Sequence, residues 1–317
     1  MFDNTKIVES TDANVKKLVF TSDDVVAEAV LYKYPTYKER IVICCSTQSG
    51  CPVGCRFCGT GDFFIRNLSS EEIIYQVESC MDIVEAEEDI RNSDKFQIMF
   101  MSMGEPMLNW DELKIALFKL DKLYPDARLL ISSVGPNATK RAWSDLLATS
   151  VQIPSIGLQF SIHEAIQEKR DALIPMKAKL SLDHIRQTGE AWHFLTRRKP
   201  YFNYCVSPDN NSDKEADLLT EYFSPEIWET TLSVICEQDE GVAAANQRQR
   251  SLVEGFMDKM LARGHSVRMF DPAGQDDIGG GCGQLWFVQD WAKNHPSVVK
   301  RSHGSGLSKV HTPGMQQ

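Results

Sequence analysis

The sequence predicts an α/β fold: a partial, open β/α barrel of six strand-helix units, preceded by a small N-terminal β-hairpin extension. Three observations predict it. From residue 41 onward, β-branched and apolar runs alternate with helix-periodic segments through six units, and repetition of that kind favours a parallel sheet. Ahead of residue 41, two β-branched runs flank a cluster of turn residues. A cysteine-rich loop follows the first parallel strand, at a strand's carboxyl end, where such folds carry their functional groups. The expected division is an extension over 1–40, a core over 41–290 and a basic, flexible tail over 291–317.

Residues 1–15 read as polar and irregular, and Lys17 to Phe20, the turn Thr21 to Asp24, and Val25 to Tyr32 read as the hairpin. Alternation puts Val26, Glu28 and Val30 on one face, and a carboxylate between two valines ordinarily marks an edge or solvent-facing position. The first parallel strand is Ile41-Val42-Ile43. Its helix starts at Ser69, where Ser69-Ser70-Glu71-Glu72 has capping-box spacing and Ile73, Ile74, Val77, Met81 and Val84 form an apolar stripe. Glu85, Glu87, Glu88 and Asp89 read as its solvated end. The next units pair Gln97 to Met103 with the helix after Asn109, and Leu129 to Ser133 with Ala138 to Leu147. Ile156 to Ser161 pairs with Leu182 to Phe194 after a loop or short helix, and Tyr201 to Val206 with Lys214 to Phe223. Leu232 to Cys236 pairs with Asn246 to Arg263, and Ser266 to Phe270 is a further candidate strand.

Nine cysteines without an N-terminal hydrophobic segment point to a reducing compartment, and the expected location is cytoplasmic. No apolar run is long enough to span a bilayer, so no membrane partner is expected. A formal charge of −10 argues against a surface generally coated for nucleic acid, though a local basic patch is compatible with it. Two basic stretches stand out. Arg197-Arg198-Lys199 is one; the other is the tail, which carries Lys293, Lys300, Arg301 and Lys309 without an acidic residue.

The chemistry concentrates in Cys51-Pro52-Val53-Gly54-Cys55-Arg56-Phe57-Cys58. A four-iron cluster needs one protein ligand per iron, so three thiolates on one short loop leave one iron open for chemistry. Structural zinc would want a fourth ligand at matching spacing, and no second Cys-x2-Cys or His-x3-His pair supplies it. This spacing resembles that of the radical S-adenosylmethionine (SAM) superfamily, in which SAM occupies the open iron.

Further stretches resemble the RlmN/Cfr family of radical SAM RNA methyltransferases. Cys44-Cys45-Ser46-Thr47-Gln48-Ser49-Gly50-Cys51 is similar to its Cys-x-Ser-Ser-Gln-x-Gly-Cys, Met103-Gly104-Glu105-Pro106 to its Gly-Glu-Pro element, and Ser161-Ile162-His163 to its Ser-Leu-His. Ser132-Ser133 falls at the family's serine-rich third strand end, and Gly281 to Leu285 is similar to its carboxyl-terminal Cys-Gly-Gln-Leu. The resemblance covers roughly residues 16 to 286. It implies a 4Fe-4S cluster on Cys51, Cys55 and Cys58, and SAM held by Gly104, Glu105, Ser132, Ser161, Ile162, His163 and Ser233. It also implies an electron donor such as flavodoxin or ferredoxin and an adenine in ribosomal or transfer RNA as substrate.

Adenine ring carbons 2 and 8 are electrophilic, which disfavours direct methyl-cation transfer. By the resemblance, the thiolate of Cys282 first takes a methyl group from SAM. A radical from a second SAM removes hydrogen from that methyl, whose carbon then adds to the ring and links protein to substrate. Glu28, in Val26-Ala27-Glu28-Ala29-Val30, aligns with the proton acceptor, and Cys44 with the thiol that attacks the Cys282 sulfur, which implies a disulfide bond. Cys45 reads as a buried strand residue. The chain departs from the family in three ways: nothing in it matches the amino-terminal accessory domain, Leu232-Ser233-Val234-Ile235-Cys236 stands where the family has Val-Asn-Leu-Ile-Pro, and its net charge is acidic. Two other readings stand beside RNA methylation: the same chemistry on a small nucleotide or other heteroaromatic, and a non-enzymatic iron-sulfur or zinc protein.

Overall fold

Among the described residues ten strands form one open sheet, in the order β1 (Asn4–Glu9), β2 (Val15–Ser22), β3 (Val25–Lys33), β4 (Ile41–Cys44), β7 (Phe96–Phe100), β8 (Ala127–Ser133), β9 (Ile156–Ser161), β10 (Tyr201–Cys205), β11 (Glu229–Ser233) and β12 (Val267–Phe270). The computed structural model describes residues 2–61, 63–88, 93–137, 140–234, 242–271, 277–279 and 284–301. Strands β1 (Asn4–Glu9), β2 (Val15–Ser22) and β3 (Val25–Lys33) run antiparallel, and β3 pairs antiparallel with β4 (Ile41–Cys44). The amino terminus, expected to be irregular, is thus an edge strand. The chain then leaves the sheet: β5 (Gln48–Gly50) and β6 (Phe63–Asn67) form a small separate sheet that brackets the cysteine loop.

Helix α1 (Ser70–Glu87) begins where the capping box predicts, with Ser69 and Glu72 bonding each other's backbone, a device that stabilises a helix start by about 1 kcal/mol. Its acidic end is not merely solvated. Glu87 and Glu88 take Lys16 (3.0 Å) and Lys33 (3.1 Å), tying the helix to the hairpin.

Next come β7 (Phe96–Phe100), α2 (Trp110–Leu123), β8 (Ala127–Ser133), α3 (Lys140–Gln152) and β9 (Ile156–Ser161). A short α4 (Gln167–Leu173) precedes α5 (Leu182–Thr196), β10 (Tyr201–Cys205), α6 (Asp213–Tyr222) and β11 (Glu229–Ser233). The chain continues through α7 (Val242–Ala262), β12 (Val267–Phe270), α8 (Trp286–Asn294) and β13 (Lys300–Arg301), which joins the small sheet beside β6. The sixth strand starts three residues earlier than its apolar run predicts, and β12 is a seventh parallel strand. Cys282 and the tail beyond Arg301 lie outside the described residues.

Parallel register divides the sheet into two faces. On the helix side, Ile43, Ile98, Ile131, Leu158, Phe202 and Leu232 share one core with Val77, Leu117, Leu146, Trp192, Leu219 and Phe256 of the helices. Each such fully buried side chain contributes about 1.5–3 kcal/mol. The other face is mixed: Cys44, Met99 and Leu130 stand in register on β4, β7 and β8, then Ser132 with Gln159, Ser161 with Asn203, and Cys205 with Ser233. Polar side chains thus gather toward the carboxyl ends of the strands. No helix among the described residues is long and apolar enough to cross a membrane.

Packing overrides helix propensity at Gly189, in the buried stripe of α5. A Cβ there would stand 2.1 Å from a ring carbon of Trp228. Gly189→Ala should therefore destabilise the fold by about 1–3 kcal/mol by overpacking, although alanine favours a helix by about 1 kcal/mol. Urea unfolding reads the sign; a stabilised variant would show that the ring yields.

Candidate active site

The site is built where the backbone abandons the main sheet. After Cys44 the segment to Gly50 lacks a regular ladder on both sides, so side-chain amides replace it. Gln76 bonds both the amide nitrogen (2.9 Å) and the carbonyl (3.0 Å) of Ser46. Asn109 donates to the carbonyls of Thr47 (2.7 Å) and Leu68 (2.8 Å), and Gln48 accepts from the Glu105 amide (2.8 Å). Gly104 passes this point at φ +99°, and a Cβ on it would sit 2.8 Å from the Gln48 nitrogen. The Ser-Thr-Gln and Gly-Glu stretches are therefore two sides of one joint.

The cysteine loop follows. Cys51, Cys55 and Cys58 share one apolar cluster with Val53, Val134, Ile174 and Met176. The loop's back is held by the Arg56 amide on the Leu173 carbonyl (3.0 Å), and its Phe57 packs edge-on against His163 with centroids 5.0 Å apart. Burial raises the Cys51 and Cys55 thiols, and the neighbouring cysteines add to the rise. Among the described residues no three His, Cys, Asp or Glu converge to hold a single metal ion. A four-iron cluster asks for something else, one thiolate per iron, and three thiols on an apolar-walled loop fit that donor set. Loading iron must displace the thiol protons.

The residues predicted to hold SAM are gathered beside this loop. Glu105, buried, accepts from Ser133 Oγ (2.6 Å), the Val134 amide (2.9 Å) and the Met107 amide (3.0 Å). Ser132 faces Ser161, Oγ to Oγ 3.2 Å, and takes an amide proton from Gln159 (3.0 Å). Ser233 donates to Asn203 Oδ1 on the adjacent strand (2.7 Å), and the Asn203 carbonyl accepts from the amides of Ile162 (2.9 Å) and His163 (3.3 Å). Ile162 points into the helix-side core. His163 adopts a left-handed φ of +60°. Its Nδ1 accepts from the Cys205 amide (3.2 Å), its carbonyl accepts from Asn210 (3.1 Å), and burial lowers its pKa to about 3, so the ring is neutral. Gln159, Asn203 and Arg170 belong to no motif of the sequence; an isolated amide in an apolar strand, as at Asn203, is the one local signal such a residue leaves.

Glu28 is corrected. It is neither an edge nor a solvent-facing residue, because β3 is internal, flanked by β2 and β4. Its carboxylate pairs with Lys17 at 2.9 Å, both side chains at most 2% exposed, and its Oε2 has no partner among the described residues. Burial raises its pKa against the opposing pull of Lys17. Cys44 and Cys45 point to opposite faces. Cys45 sits in the helix-side core, whereas Cys44 clusters with Val30, Tyr32, Val42 and Ile278, four residues ahead of Cys282 in the chain. The expected disulfide between Cys44 and Cys282 falls on a residue outside the described ones, and no two described cysteines are joined to each other.

The stretch Arg197 to Lys199 is also corrected as a nucleic-acid patch. It lies at the amino-terminal end of β10, away from the cysteine loop, and it is occupied. Arg198 donates to the carbonyls of Pro154 (2.6 Å), Ser150 (2.5 Å) and Ile156, Lys199 to that of Pro225 (2.8 Å), and Arg197 stacks on Phe194.

Burial pushes the Glu105 carboxyl from 4.5 up to about 7 despite its three donors. Between those values the folded protein keeps a proton that the unfolded chain has lost, so this group's contribution to stability falls as pH rises, by about 3 kcal/mol in all. Glu105→Gln removes the titration. Its stability relative to the wild type should climb by about that amount from pH 4.5 to 7, measured by urea unfolding across the range; a difference constant with pH would contradict the burial argument.

A family model described as the radical SAM superfamily matches residues 45–174, which hold the cysteine loop, Glu105, His163 and Arg170. A probable dual-specificity RNA methyltransferase RlmN of Fervidobacterium nodosum is 33% identical over 67% of this chain and 59% of its own length. A probable RNA methyltransferase of Rhodopirellula baltica is 30% identical over 86% of this chain and 70% of its own. The chain spans 59% and 57% of the length of its F. nodosum and Chlorobium phaeobacteroides relatives. A solved radical SAM methyltransferase from Sphaerobacter thermophilus shares the fold, with a TM-score of 0.72 over 89% of this chain and 80% of that one at 24% identity. The superfamily implies a 4Fe-4S cluster and SAM, the pair for which the loop and the strand ends are suited. From the cysteine spacing, the open parallel sheet and these similarities it follows that the chain belongs to the RlmN family of radical SAM methyltransferases.

Proposed function

We propose that the protein methylates a ring carbon of adenine in ribosomal or transfer RNA through a methylated Cys282 and a transient protein-substrate cross-link. The observation that carries this reading is the pairing of faces. Cys44 points to the mixed face and packs with Ile278, which leads toward Cys282 in the chain, while Cys45 points away. The bound cluster and SAM supply a one-electron cleavage that yields a primary carbon radical, with the electron drawn from a flavodoxin- or ferredoxin-type donor. Glu105 offers a carboxylate to the amino group of SAM, and Ser132, Ser161 and Ser233 offer hydroxyls to its polar groups.

Glu28 is the base for the ring proton. Its buried Oε2 is a free acceptor, and Lys17 opposes the burial that would otherwise keep the carboxyl protonated. The adduct's odd electron passes back to the one-electron carrier, and Cys44 then attacks the Cys282 sulfur, forming a disulfide as the methylene carbon takes the electron pair of the broken sulfur-carbon bond and a proton to become the product methyl. The division at about residues 40 and 290 belongs to this reading: the hairpin supplies the base, the core binds the cofactors, and the tail adds basic charge for a polyanion.

Intact-mass measurement after one anaerobic turnover separates the roles. Cys51→Ala, Cys55→Ala and Cys58→Ala should each lose the cluster and SAM cleavage, because each is the sole protein ligand of its iron. Cys282→Ala should show no methyl-protein and no product. Cys44→Ala and Glu28→Gln should methylate Cys282 and then accumulate the cross-link, and Cys45→Ala should behave as wild type. Product release at a normal rate by Cys44→Ala would remove it from the mechanism, and tightly held zinc in place of iron would remove the cluster.

RNA as substrate makes a separate prediction. Binding should weaken linearly in log affinity against log salt, and Lys300→Ala with Arg301→Ala should flatten that slope by about one for each phosphate left unneutralised. Salt-independent methylation of free nucleotides would instead point to a small heteroaromatic substrate, a reading favoured by the net charge of −10.

A further inference from the structure

The guanidinium of Arg170 is fully buried, and every bond it makes is to a neutral carbonyl. It donates to Leu180 O (3.0 Å), Val134 O (2.6 Å) and Ser161 O (3.4 Å), while its Nε has no partner among the described residues. Among the described residues it has no carboxylate within ion-pair distance. A cation taken out of water requires an opposing charge, and carbonyl dipoles supply only part of it.

Three ionisable groups act on its charge in the stabilising direction: Cys55, Asp171 and Glu105. Asp171 is more than half exposed and is already paired with Lys179 at 2.7 Å. The Glu105 carboxylate is held by Ser133, Val134 and Met107. The cysteine loop is the remaining candidate, and Arg170 is tied to it from behind. The Arg56 amide of the loop rests on the carbonyl of Leu173, three residues after Arg170, and the Val134 carbonyl that receives the guanidinium belongs to a residue packed with Cys55.

We propose that Arg170 is the buried counter-charge of the iron-sulfur cluster held by the cysteine loop and raises its reduction potential. The proposal rests on the cluster reading above and adds a residue to it that is not one of its ligands. Thiolate ligation leaves the core net negative, and reduction adds one more electron. A fixed cation in a dry site stabilises the reduced form more than the oxidised one, and net charge near the cluster is among the factors that set its potential. Arg170 is thus a positioning residue for charge.

The test is a dithionite-poised redox titration, read by electron paramagnetic resonance, of the full chain reconstituted anaerobically as wild type, Arg170→Lys and Arg170→Gln. Arg170→Gln should fall at least tenfold in the ratio of reduced to oxidised cluster at a fixed potential, which is 59 mV for a one-electron couple, and in the negative direction. Arg170→Lys, which keeps the charge but cannot fork to three carbonyls, should stay near the wild-type potential even if less stable. Equal shifts in the two variants, or none in Arg170→Gln, would overturn the proposal. If Arg170→Gln fails to fold, Arg170→Lys decides alone, since a tenfold or larger shift there would also overturn it. Absence of a cluster from the wild type would overturn the cluster reading itself, and this proposal with it.

Discussion

The structure depends on how the chain exits its sheet after Cys44. A strand that leaves its neighbours orphans its amides and carbonyls, and burial makes each orphan costly. Gln76, Asn109 and Gln48 supply the missing partners from α1, the turn before α2 and the exit segment itself. Because those side chains have fixed reach, three things are placed together: the direction of the Cys44 side chain, the start of the cysteine loop, and the backbone of Glu105. Loosening one of these amides would shift all three.

Much of the fold was legible in the sequence because one face of each parallel strand packs on helices, which gives clear apolar runs punctuated by caps such as Ser69. The cysteine loop was legible because its ligands are close in sequence. What escaped depended on partners far away in the chain. Glu28 reads as a surface carboxylate until β4 closes over its strand; Lys17 reads as a surface lysine until Glu28 lies beside it. Arg170, in Gln-Glu-Lys-Arg-Asp, has the local pattern of a solvated helix and is nonetheless wholly buried. The Arg197 to Lys199 stretch carried the opposite error, the charges of Arg198 and Lys199 being turned onto carbonyls at the far end of the sheet. Composition cannot distinguish a charge that faces water from one that is consumed by the fold.

Charge is distributed in layers around the site. Nearest the cysteine loop are the neutral ring of His163, the carboxyl of Glu105 with its pKa near neutrality, and the buried guanidinium of Arg170, held by carbonyls. Farther out, the hairpin carries an isolated ion pair at Lys17 and Glu28, and only at the rim do ordinary exposed pairs such as Lys38 with Asp94 occur. Such an arrangement keeps the dielectric low where a radical and a thiolate would both be handled, and it makes each buried charge influential.

The openness of the sheet has a consequence for the molecule in a crowded solution. A closed barrel has no free rim of backbone donors and acceptors; this sheet has two, along β1 and β12. Each is blunted. Strand β1 is exposed and polar through Asn4, Thr5, Lys6 and Glu9, leaving Ile7 as its one strongly apolar exposed side chain, and β12 has only four residues with Arg268 among them. Short, charged edges are poor templates for another chain. The fold can therefore leave its interior face accessible from the side without inviting strand-to-strand aggregation.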